Sequence, residues 1–169
     1  MDVLNCIINR RSIRRFKNQN IEIQKVEDIL KAAMYAPTAR NQQTFEFVVI
    51  NNRQMLDDIS EIHPYANMLK QAPLAILVCH NHQKVKSDGF WIQDLAAVTQ
   101  NILLQAYSLG IGSVWLGVYP REDRENGLKK YLNLPEDIVP FSLVALGYAD
   151  ENPHTTNRYD SNKIHFNRW

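Results

Sequence analysis

Glycine-rich phosphate loops are missing from this chain: with six glycines in 169 residues, neither GxGxxG nor GxxxxGK[ST] occurs, which excludes the two commonest loop-built nucleotide sites. Cysteine is scarce. Cys6 and Cys79 lie in apolar segments and form neither a CxxC nor a spaced metal pattern, so reduced, buried packing and a cytoplasmic location are expected rather than a disulfide framework. Long hydrophobic runs are also lacking. No stretch reaches the roughly 18 apolar residues of a membrane span, and the first residues lack the apolar core and cleavage site of an export signal, so no membrane partner is expected. Nor is there an excess of one charge. With 19 Lys+Arg against 18 Asp+Glu and a formal net charge of +1, a protein built to cover nucleic-acid backbone is not indicated. No partner acid or cysteine motif accompanies His80-Asn81-His82, so no metal site is expected there. Internal repeats and low-complexity tracts are absent.

What is present reads as one domain over residues 1–169, with a core of about 1–149 and a polar C-terminal arm of about 150–169. Asp2 is placed to cap a first helix carrying Val3, Leu4, Ile7 and Ile8 at helical spacing. A second helix over 23–35 sets Val26, Ile29, Leu30 and Ala33 on one face and stops before Pro37. A β-branched and aromatic strand over 45–50 follows, then a short helix over 53–61, broken by His63-Pro64, and a turn near 66–71. The wholly apolar stretch 74–79 predicts a central strand covered on both faces. Residues 90–109 form the longest helical pattern, with Leu95, Val98, Ile102, Leu103, Ala106 and Leu109 inward and Gly110 placed to close it. Small and apolar residues on its neighbouring faces, Ala96 to Thr99, predict contact with a second subunit. A strand over 112–118, a helix over 121–131 and a strand over 141–147 complete the core.

Two segments carry candidate chemistry. Arg10 to Phe16 packs four arginines and Ser12 into seven residues at the end of the first helix. Arginine's planar fork of donors suits a phosphate, with Arg10, Ser12 and Arg14 able to meet one from the same side; a solvated basic turn or a nucleic-acid patch remains open from this segment alone. Residues 36–43, rich in small and amide side chains, present donor and acceptor together, as a heterocycle with adjacent C=O and N–H groups requires; a plain connector whose amides satisfy its own backbone remains open too. Gly117, late in its strand, lets a planar group approach the main chain.

Taken together, Arg10 to Phe16, Ala36 to Phe47, the helix from Asp94 into Gly110 to Val118, and Leu143 to Tyr148 with the arm resemble the nitroreductase family of FMN-dependent oxidoreductases, over nearly the whole chain. The resemblance implies an α+β fold with a mixed central sheet flanked by helices, a homodimer with FMN at the subunit interface, and an arm that wraps the partner. By position it implies that Arg10, Arg11, Ser12 and Arg14 hold the phosphate, ribityl chain and N1/C2=O edge, with Arg158 as a second phosphate ligand. It further implies that Pro37, Thr38, Ala39 and Asn41 reach the flavin of the partner subunit, and that the main chain of Trp115, Leu116, Gly117 and Val118 faces the ring. No side chain is then needed as a catalytic acid or nucleophile, since the flavin carries the chemistry. The implied activity is ping-pong reduction of nitroaromatics, quinones or similar small acceptors by NADH or NADPH; the alternative is a flavin-binding dimer that serves as a sensor or store. Thr44-Phe45 stands where the family commonly has Pro-Trp, and the region over the pocket is short, so acceptor preferences of larger members do not transfer.

Overall fold

In a computed structural model that describes residues 2–169, four strands form one sheet in the order β1-β2-β4-β3: β1 (Phe45–Ile50), β2 (Leu74–Asn81), β3 (Gly112–Gly117) and β4 (Ile138–Gly147). The apolar run at 74–79 is explained by where β2 sits. It pairs with β1 on one side and β4 on the other, and helices cover both faces. Ile76 and Val78 point into a layer built by α2 (Ile23–Met34) and α4 (Trp91–Ser108). Ala75, Leu77 and Cys79 point into the opposite layer, closed by α3 (Arg53–Ile62) and α5 (Glu122–Tyr131). Each buried aliphatic side chain in these layers contributes about 1.5–3 kcal/mol, so the two cores, not propensity, hold the helices in place.

Every strand pair is antiparallel. The expected mixed sheet is therefore corrected: among the described residues parallel pairing is confined to one isolated bridge, Ser12 to Ser113. The reason is local. After the Ile13 N–H donates to the Ser113 carbonyl at 3.0 Å, Arg14 and Arg15 turn to solvent and the chain re-engages only at an antiparallel bridge from Phe16 to Ala149. Ile13 and Phe16 are buried while the arginines between them stay outside, so this segment is strapped across the ends of β3 and β4.

Two further expectations change, the Asp2 cap and the end of β2. Asp2 occupies the N-cap of α1 (Val3–Asn9) but its side chain makes no capping bond. The apolar face of α1 is not covered by its own chain, with Val3, Leu4, Ile7 and Ile8 between 50% and 70% exposed. His80 and His82 do not both follow the strand, because β2 runs on to Asn81; His80 is buried and stacks on Trp91 at 4.3 Å. Gly110 does end α4, with φ at +74° and the Ile111 N–H donating to the Ala106 carbonyl at 2.8 Å. Beyond Asp150 the arm is exposed almost throughout, with one short turn at Ser161–Lys163 and a fully exposed Trp169. No helix among the described residues is long and apolar enough to cross a membrane.

Candidate functional site

The strap from Arg10 to Phe16 separates two clefts. One, of about 350 Å³, is lined by Arg10, Arg11, Ile13, Tyr107, Gly110 to Ser113 and the start of the arm from Glu151 to Thr155. The other, of about 420 Å³, is lined by Arg14, Trp115, Leu116 and Gly117 and by His63, Tyr65, Asn67 and Met68. Ser12 lies between them, its position set by the bridge to Ser113.

Positive charge gathers at the first cleft. Burial lowers the pKa of the Arg10 guanidinium below its ordinary value, and the nearby charges of Arg11 and Arg158 lower it further. Among the described residues no carboxylate forms an ion pair with Arg10, Arg11, Arg14 or Arg158. Cations held together without a counter-charge raise the free energy of the site until an anion enters it. Glu151, which also lines this cleft, forms no ion pair with these arginines; one of its carboxylate oxygens accepts from the backbone N–H groups of Arg14 and Arg15. Arg11 is partly occupied as a brace: its Nε donates to the His154 carbonyl at 3.1 Å and its Nη1 to the Ile8 and Arg10 carbonyls at 2.7 Å, tying the arm to the end of α1. Its Nη2 is buried without a partner.

The second cleft suits a flat group. An added Cβ on Gly117 would meet no atom within 4 Å, so the strand end lies open to a planar ring. The Gly117 carbonyl is engaged by His63 Nε2 at 2.9 Å and accepts from Arg124 Nη1 at 2.7 Å. Val118 lines neither cleft: its side chain is in the core and its N–H donates to the Phe141 carbonyl at 3.2 Å. Trp115 packs by Phe141, ring centres 6.1 Å apart, and Leu116 is buried.

Pro37, Thr38, Ala39 and Asn41 stand apart. None lines either cleft. Their loop is pinned to the first turn of α4, where buried Asp94 accepts from the Ala39 N–H at 3.0 Å and from Gln42 Nε2 at 2.6 Å. Arg40, Asn41 and Gln43 have φ of +51°, +50° and +48°, a region that costs roughly 1 kcal/mol or more per non-glycine residue.

Sequence reasoning missed His63, Tyr65, Asn67 and Met68 as wall residues, and Arg124, Asp94 and Gln42 as supports. His63-Pro64 was readable only as a helix break, and the register that brings it against Gly117 is a tertiary fact. The Arg124 guanidinium sits 5.2 Å from the Tyr65 ring centre, a contact between elements 59 residues apart that no local pattern announces.

A sequence model of the Nitroreductase family matches residues 7–148. The chain is 46% identical over 169 residues to a protein of Methanothermobacter thermautotrophicus that carries the provisional name NADH dehydrogenase/NAD(P)H nitroreductase, covering all of this chain and 88% of that one. Among solved structures, an FMN-dependent nitroreductase of Clostridium difficile R20291 superimposes with a TM-score of 0.90 at 31% identity, covering 98% of this chain and 99% of the other. A provisionally named nitroreductase of Desulfovibrio desulfuricans, crystallised in complex with FMN, superimposes with a TM-score of 0.85 at 26% identity, covering 100% and 98%.

Proposed function

Because this chain belongs to the nitroreductase family, we propose that it is an FMN-dependent NAD(P)H oxidoreductase whose flavin spans the two clefts on either side of the Arg10 to Phe16 strap. The observation that carries this reading is the group of Arg10, Arg11 and Arg158, which no carboxylate among the described residues pairs with, beside a strand end left open by Gly117. Phosphate chemistry fits the first feature and a planar heterocycle the second. Bound FMN supplies hydride and electron transfer between a reduced nicotinamide and a small acceptor such as a nitroaromatic or quinone, in ping-pong order.

The chain's own residues bind and tune. Arg10 and Arg158 neutralise the phosphate, with Ser12 able to donate or accept beside them. Arg14, on the wall of the second cleft, favours the negative charge that builds up on a flavin ring as it is reduced. Leu116 and Met68 present apolar surface that excludes water, and Asn67 offers an amide to the ring edge. Pro37, Thr38, Ala39 and Asn41, remote from both clefts, act on the flavin of a partner subunit. A homodimer is supported by the uncovered face of α1 and by Phe166 and Trp169, 85% and 100% exposed at the end of the arm, more apolar surface than an isolated arm would be expected to present. Two free, buried cysteines fit a reducing cytoplasm.

The test is an anaerobic titration of the purified protein. A yellow protein bleached by NADH or NADPH and recoloured by a nitroaromatic or a quinone is the expected result. A yellow protein that neither nucleotide bleaches would make it a flavin store or sensor, and a colourless one that takes up no FMN would refute the flavin reading.

A further inference from the structure

Three of the four residues from Arg40 to Gln43 adopt left-handed backbone angles, yet the side chains of Arg40 and Asn41 are exposed and make no hydrogen bond or ion pair to the described chain. Strain of this kind persists only where the surroundings over-determine it, and it gathers at ligand clamps. Here the determining group is one carboxylate. Asp94, 6% exposed, holds the Ala39 N–H through Oδ1 and the Gln42 amide through Oδ2. Buried Gln42 extends the hold in the other direction, its Oε1 accepting from the backbone N–H groups of Lys86 and Ser87, each at 3.2 Å. Thr38 closes the loop from inside, its Oγ1 accepting from the Gln43 N–H at 3.2 Å. One acid and one amide thus join α4, the loop and the 86–87 segment, and every polar atom of their two side chains is spent inward.

We propose that Asp94, with Gln42 as its second arm, is the positioning residue that holds Asn41 in the pose from which it meets a flavin across the subunit interface. Neither side chain touches the flavin; both act through the loop. The inference rests on the FMN reading given above and deepens it, because it says which buried groups keep the remote half of the site in shape. An amide at position 94 would keep the size of the side chain but turn one acceptor into a donor, facing either the Ala39 N–H or the Gln42 amide, and the loop would relax away from its left-handed form.

The experiment compares full-length parent, Asp94→Asn, Gln42→Ala and, as a stability control in the opposite core layer, Leu56→Ala. FMN affinity is read from flavin fluorescence, the environment of the bound ring from its visible absorption bands, and Tm in the absence of flavin. Asp94→Asn is expected to weaken FMN binding about 10-fold to 100-fold and to shift the bound-flavin bands. Gln42→Ala leaves the bond to Ala39 in place and is expected to weaken binding about 3-fold to 10-fold, so the inference stays testable if the Asp94 variant does not fold. Leu56→Ala should lower Tm while binding FMN as the parent does. FMN affinity and spectrum unchanged in both loop variants would overturn the inference, and so would a loss in Leu56→Ala as large as theirs. A parent that binds no FMN would instead overturn the functional reading, and this inference with it.

Discussion

His63 Nε2 stands 2.9 Å from the Gly117 carbonyl oxygen while its Nδ1 accepts from the Tyr65 N–H at 3.2 Å, so both ring nitrogens are engaged. That pairing requires a neutral ring with its proton on Nε2. Burial lowers the pKa of His63, and the charge of Arg124 lowers it further. Arg124 Nη1 reaches the same carbonyl, so two side chains from α5 and from the end of α3 converge on the strand end that faces the proposed ring.

Shared use of one acceptor predicts coupling. His63→Phe and Arg124→Ala should each cost about 1–3 kcal/mol in urea unfolding, and the double variant should depart from their sum by at least about 0.5 kcal/mol. Strict additivity in that cycle would show that the two donors act independently.

A second histidine predicts acid sensitivity. Burial, then the charge of His82, lower the pKa of His80 to about 4, against an opposing pull from Asp94. The unfolded chain takes up this proton near pH 6.5; between that pH and about 4 it therefore binds more protons than the folded chain. Stability should fall as pH falls through this window, by up to about 3 kcal/mol from this residue. His80→Phe, which keeps a ring against Trp91, should flatten that part of the curve in pH-dependent denaturation; an unchanged slope would contradict the assignment.

Much of this architecture is legible in the sequence, and the limits have physical causes. The continuous apolar run at 74–79 announces a strand covered on both faces, and Gly110 announces the end of α4, because each is a local response to burial or to a backbone angle. The strap is half legible: clustered arginines point to an anion, but their strapping across β3 and β4 depends on Ile13 and Phe16 finding Gly112 and Gly147, where a Cβ would clash at 3.0 Å and 2.7 Å. Mixed pairing was expected, yet a single residue, Ser12, runs parallel. His63, Arg124 and Asp94 were hidden because their partners lie 54, 7 and 52–55 residues away and the partner atoms are mostly backbone, which carries no sequence signal.

Cys79 should prove inert. Its thiol is buried in the β2 core and its pKa is pushed up to about 12, by burial first and then by the charge of Glu46, so no reactive thiolate forms at working pH. Cys79→Ala should keep FMN content and turnover, with only a modest loss of stability from the small cavity. Lost turnover in a folded, flavin-loaded variant would reveal a redox role for the thiol.

The arm predicts a separation of two effects. Ordering some eighteen residues costs roughly 1–2 kcal/mol each, and in the single chain Phe166 and Trp169 stay 85% and 100% exposed, with Trp169 stacked on the neighbouring His165 ring at 4.1 Å. Truncation after Asp150 should lose flavin and dimer together, whereas Arg158→Ala should weaken flavin binding and leave the dimer intact. Size-exclusion chromatography with detection at the flavin band reads both, and a truncated chain that elutes as a yellow dimer would refute the wrapping arm.

The central claim, that Arg10 and Arg158 form the phosphate end of a flavin site, is tested most directly by comparing FMN with riboflavin, which is the same ring system without the phosphate. Hydrogen bonds to charged groups contribute about 1.5–3 kcal/mol each, so the parent should prefer FMN by about 100-fold or more in a fluorescence titration. Arg10→Ala and Arg158→Ala should each reduce that preference about 10-fold or more while changing riboflavin affinity little. Equal affinity of the parent for the two flavins, or a preference for FMN that survives both substitutions, would contradict the account.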